Sequence, residues 1–129
     1  MPLKIRDSQM KVFDRYMEDQ FVRSLMRDVR TDFPEETSDL SDAEIKQLLR
    51  GALARARSHG IRYQSSIAGF VTLMFSIAPN FDDHPAFARV LDDPGLVEQD
   101  KLSALFSLPP DAWEQAAAQY DEEAWGLNP

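Results

Sequence analysis

The apolar positions of this chain fall at helical spacing almost from end to end. Phe13, Met17, Phe21, Leu25, Val29 and Phe33 recur every four residues, and Met10, Val22 and Met26 widen the stripe. A strand would alternate with period two, so this spacing predicts one long helix. Its start falls at Asp7-Ser8, either of which supplies a capping oxygen. Its end falls at Pro34, which has no N–H to donate and restricts the residue before it. About 25 residues make a rod of roughly 38 Å. A repeat of four on a 3.6-residue turn moves the stripe about 40° per step, so it winds round the rod and can meet several neighbours.

A second helix is announced by its caps. Ser41 stands as N-cap with Glu44 three residues on, and Leu40 and Ile45 are spaced as a hydrophobic staple. Ile45, Leu48, Leu49, Ala52, Leu53 and Ala56 form the buried face, Gly60 is placed to end the helix in a left-handed conformation, and Ile61 folds back on it. The stretch IAGFVTLMFSIAP predicts a third helix over 64–78, apolar nearly all round and therefore central, with Gly69 admitting a close neighbour. Shorter elements follow. Pro85 opens a small helix to Leu91, Asp92-Asp93-Pro94-Gly95 is a turn, 97–106 is a further helix, and LPPD starts a last one that Gly126 ends. The expected fold is all-α, a compact single-domain bundle of five to six helices, three longer N-terminal ones followed by shorter ones. One domain spans 1–129, with a core over 8–95 and an acidic helical segment over 96–129.

Composition narrows the class. The run from Ile67 to Ala78 is 12 residues long and interrupted by Gly69, Thr72 and Ser76, whereas a membrane helix needs about 20. The opening MPLKIRDSQMKVF is charged and lacks the apolar segment of a signal peptide. With no cysteine there is no disulfide or thiolate metal site, and the expected setting is cytoplasmic. Net charge is −8 and uneven: residues 1–62 carry twelve Lys/Arg against eleven Asp/Glu, residues 63–129 only Arg89 and Lys101 against eleven acids. Such a chain repels phosphate backbones, so no nucleic-acid partner is expected, while the acidic half suits a basic protein partner or simply solubility.

Candidate chemistry is sparse. There is no phosphate-binding Gly-rich loop, HExxH, nucleophile elbow or calcium loop. Asp82, Asp83 and His84 read either as a metal or acid–base cluster or as caps charging the next helix; three consecutive residues rarely converge on one ion, which favours caps. His59 belongs at the end of the second helix, facing its negative pole. The chain is therefore expected to be no enzyme, with no cofactor and no metal. Two surfaces are candidates for a protein partner. The first is the basic set of Lys46, Arg50, Arg55, Arg57 and Arg62, in which Lys46, Arg50 and Arg57 share a helix face. It reads equally as a solvated face or as one paired with the acidic half. The second is the tail, where Trp113 and Tyr120 dock the last helix and Trp125, beside Asp121, Glu122 and Glu123, is a candidate anchor.

QMKVF at 9–13, FP at 33–34, RARSHGI at 55–61, LMF at 73–75 and NFDDHP at 80–85 occur in an order and spacing that resembles a group of small helical bacterial proteins. Members of that group accompany type VI secretion spike proteins, their toxic effectors and the chaperones that load them. The resemblance covers residues 8–95 and departs at His84, where an acid is expected before the proline. It implies an accessory protein acting by binding, an adaptor or co-chaperone for a secretion effector or its loading chaperone. It carries over no residue roles. An immunity protein that covers a basic toxin domain by acidic complementarity is the alternative. Oligomeric state is not legible.

Overall fold

The computed structural model describes residues 7–127, with side chains from Gln9 onward. Seven α-helices and two 3-10 turns account for the regular structure, and no strand occurs among the described residues. The helices are α1 (Asp7–Asp32), α2 (Pro34–Thr37), α3 (Asp42–Ser58), α4 (Gln64–Ser76), α5 (Pro85–Leu91), α6 (Glu98–Phe106) and α7 (Pro110–Ala118); the turns are Phe81–Asp83 and Glu122–Trp125. The expected cap of α1 at Asp7-Ser8 lies outside the described side chains.

The count exceeds the expected five to six because α2 was not foreseen. Pro34 ends the long helix, but its fixed φ also suits the first turn of a new one. Thr37 closes that turn by donating its hydroxyl to the Phe33 carbonyl at 2.8 Å. The last helix differs too. Expected to run to Gly126, it stops at Ala118. Asn80, from the other side of the fold, donates its amide to the Gln119 carbonyl at 2.9 Å and accepts from the Asp121 N–H at 3.0 Å. A distant side chain thus satisfies backbone groups that would otherwise continue the helix, and the tail turns back as a 3-10 turn ended by Gly126 at φ 73°.

The caps of α3 form as their spacing predicts. Ser41 Oγ accepts from the Glu44 N–H and Glu44 Oε1 from the Ser41 N–H, a reciprocal capping box. At the other end Gly60 adopts φ 80°, its N–H donates to the Arg57 carbonyl, and Ile61 N–H reaches back to Ala56. This paired closure also buries Ile61.

At the centre lies α4. Ile67, Phe70, Val71, Leu73 and Met74 are buried on it, and its two phenylalanines start rows of rings in different directions. Phe70 leads to Phe81 at 4.9 Å between centroids and on to Phe87 at 5.6 Å. Phe75 stacks on Phe33 at 5.1 Å and meets Trp125 at 4.8 Å. Such offset and edge contacts add about 0.5–1.5 kcal/mol per pair to burial. Gly69 does admit a neighbour: a Cβ there would stand 3.0 Å from Leu102 Cδ1 of α6. All buried apolar residues join one cluster.

In α1 the expectation needs correction. Val22, Leu25 and Val29 enter the core, with Phe21, Met26 and Phe33 packed at its edge. Phe13 and Met17, members of the same repeat, lie on the surface.

Candidate functional site

Helices α1 and α3 run antiparallel and are tied by three ion pairs along their length: Arg30–Asp42 at 2.8 Å, Asp19–Arg50 at 2.7 Å and Glu18–Arg57 at 2.7 Å. Arg57 is the last residue but one of α3. In the register these pairs set, the end of α3 stands level with about residue 14 of α1, so residues 7–13 run past their main partner, an overhang of about 10 Å at 1.5 Å per residue. The apolar stripe meanwhile keeps winding. Going back from Leu25 to Phe13 turns it roughly 120° away from the core, and Tyr16 and Val12 lie further round in that direction. Met10, Val12, Phe13, Tyr16 and Met17 thus form one arc on the outer side of α1. All five are exposed, Val12 by 66% and Phe13 and Tyr16 by 59% each. A run of large apolar side chains over about two turns that the rest of the described fold leaves exposed is a feature of interaction sites on protein surfaces.

The inner side of the overhang is polar. It forms one wall of a cleft of about 540 Å³ whose other walls are the end of α3, the 59–63 connection and the start of α4. Met17, Phe21 and Ile67 supply its apolar floor. Lys11, Arg15, Arg57 and Arg62 stand around it, with Asp14 and Glu18 as its acids.

Of the residues considered for catalysis, Asp82 and Asp83 meet on Arg55, and His84 turns to Gln115 instead. Asp82, 4% exposed, turns inward. Its Oδ2 accepts from Arg55 Nε at 2.6 Å and stands 2.9 Å from His59 Nε2, while His59 Nδ1 faces Asp92 Oδ1 at 3.1 Å. Arg55 also donates to the Pro79 carbonyl at 3.2 Å. These contacts clamp the 81–83 turn and the end of α5 to the C-terminal end of α3. Asp83 is exposed, 3.4 Å from Arg55 Nη2. His84 caps α5: its Nδ1 accepts from the Ala86 N–H at 3.2 Å, so its Nε2 carries the proton and donates to Gln115 Oε1 at 3.2 Å. The cap reading of His84 and the helix-end position of His59 are both realised. Asp82 does neither expected job and anchors an ion cluster instead. Among the described residues no three His, Cys, Asp or Glu side chains are grouped to hold a metal, and no helix is long and apolar enough to cross a membrane.

The other sequence candidates divide. Arg50 and Arg57 pair with acids of α1 rather than with the acidic C-terminal half; Lys46 on the same helix is half-buried. In the tail, Trp113 lies 6.3 Å from Phe106, with its indole N–H buried and without an acceptor. Trp125 packs on Phe75, and its indole N–H donates to the Tyr120 hydroxyl at 2.6 Å, so both rings are engaged within the chain. Asp121, Glu122 and Glu123 are exposed; the Asp121 carboxylate caps the turn by accepting from the Glu123 N–H at 3.1 Å. Sequence reasoning missed Val12, Tyr16, Lys11 and Arg15. The winding stripe and the unequal helix lengths were the signals that pointed to them.

Compared with protein-family models, with curated proteins and with solved structures, the chain matches none.

Proposed function

We propose that this chain is a non-enzymatic protein-binding accessory factor, and that the overhang of α1 is its docking face. The observation that supports this is the outward arc of Met10, Val12, Phe13, Tyr16 and Met17. Burying such side chains yields about 1.5–3 kcal/mol each, a gain the isolated chain forgoes and a partner recovers. A helix presenting apolar residues over about two turns is a form that grooves on other proteins accept. The motif resemblance supports the narrower reading, an adaptor or co-chaperone for a type VI secretion effector or its loading chaperone. The test is co-purification from the native host. The wild-type chain is expected to retain an effector, chaperone or spike protein, and a Phe13→Ser/Tyr16→Ser variant with unchanged helicity to lose it. Recovery that is equal for both proteins would remove the docking face.

A second reading, an immunity protein, draws on the exposed acids Asp121, Glu122 and Glu123. It predicts that the chain rescues cells expressing the toxin it blocks, and that reversing these three charges abolishes rescue. An adaptor instead is required for export and gives no rescue.

A further inference from the structure

The cleft beside the overhang differs in sign from the chain that carries it. Four of the six charged side chains lining it are cationic, although the whole protein stands at −8. Glu18 occupies Arg57. Lys11, Arg15 and Arg62 have no ion-pair partner among the described residues, and Asp14 is the one other acid in the lining. Glu98 of α6 stands beside Arg62 as a third acid, its two carboxylate oxygens accepting the backbone N–H groups of Arg62 and Tyr63 at 2.7 and 2.8 Å, which leaves four cations against three acids around the cleft. Charges beyond about 8 Å are largely screened at physiological salt, so a ligand in the cleft meets its local cations more than the distant acids. The floor is apolar, and at about 540 Å³ the cleft falls within the usual range of binding pockets, about 300–1,000 Å³. A bare phosphate backbone would use the cations and waste the floor.

We propose that this cleft takes an acidic segment of a partner protein that carries large apolar side chains, its carboxylates meeting Lys11, Arg15 and Arg62 and an apolar side chain resting on Met17, Phe21 and Ile67. The inference deepens the protein-binding reading above and rests on it. Met17 belongs both to the cleft and to the outer arc, so the two surfaces meet at that side chain.

The experiment uses the full chain and four fluorescent probes. The first is an amphipathic peptide of about 18 residues with Glu on one face and Leu on the other. The others are its Lys-for-Glu and Ser-for-Leu counterparts and a single-stranded DNA of matching length. Anisotropy is expected to show the Glu/Leu peptide binding roughly tenfold or more tighter than each of the other three, and weakening with salt. Arg15→Glu/Arg62→Glu, at two exposed positions and checked for unchanged helicity, is expected to lose roughly tenfold or more of that affinity. No binding of the Glu/Leu peptide, equal binding of the Lys or Ser peptide or of DNA, or indifference to the double reversal would each overturn the proposal. The host co-purification separates the two ideas. Partner recovery lost with Phe13→Ser/Tyr16→Ser but kept with Arg15→Glu/Arg62→Glu leaves the docking face standing and removes the acidic segment. Recovery kept with both removes both.

Discussion

Leu25 and Phe13 belong to one four-residue repeat on one helix, yet Leu25 is 2% exposed and Phe13 59%. Neither composition nor helix propensity separates them. Two geometric facts do. The stripe turns about 40° with each step of four, and α1 at 26 residues outruns α3 at 17. The second half of α1 is thus held by α3 on the side its stripe faces, while its first two turns pass the end of α3 and its stripe there has turned outward. An apolar stripe on a helix shows that something will cover it, and only the neighbours decide whether that cover comes from the same chain.

The sharpest way to break this contrast is truncation. Leu25→Ala is expected to cost about 2–5 kcal/mol in urea unfolding, the range for a core leucine. Phe13→Ala and Tyr16→Ala should stay within about 0.5 kcal/mol of wild type. Comparable losses would mean that the overhang is covered by its own chain. The ion pairs repeat the division more mildly. Asp82→Ala strips Arg55 and His59 of a shared buried carboxylate and should cost about 3 kcal/mol. Glu18→Ala removes the exposed pair at the root of the overhang and should cost about 0.2–1 kcal/mol.

Two helix glycines sharpen it further. Gly51 on α3 has open space around its Cβ position, so Gly51→Ala should stabilise by up to about 1 kcal/mol through helix propensity. Gly69→Ala should not show that gain, because the new methyl would meet Leu102 Cδ1 at 3.0 Å; the two melting temperatures check it. The smallest effect concerns the capping box of α3, the helix that covers α1. The Ser41 backbone N–H, and then its hydroxyl, hold the Glu44 carboxyl below its ordinary value. Its contribution is present at neutral pH and is lost as pH falls through that lowered value. Stability of wild type relative to Glu44→Gln should therefore shrink on acidification, and a difference that grows would reverse the sign.

Much of this architecture was legible in local pattern. Period, caps and stop signals act within a turn or two of chain, so Ser41-Glu44, Gly60-Ile61 and the Pro34 and Pro85 boundaries could be read directly. Contacts between residues far apart in sequence could not. Asn80 ends α7 from about forty residues away, Arg55 leaves the basic surface to hold Asp82, and Trp125 leaves the surface to sit on Phe75.

By itself the sequence determined an all-helical chain, the span and ends of its longer helices and the central place of α4, because those follow from hydrogen bonding and periodicity inside each segment. Tertiary structure alone decided which apolar face went uncovered and where unpaired cations gathered. Those outcomes depend on how far one helix outreaches another and on which distant charges each arginine finds.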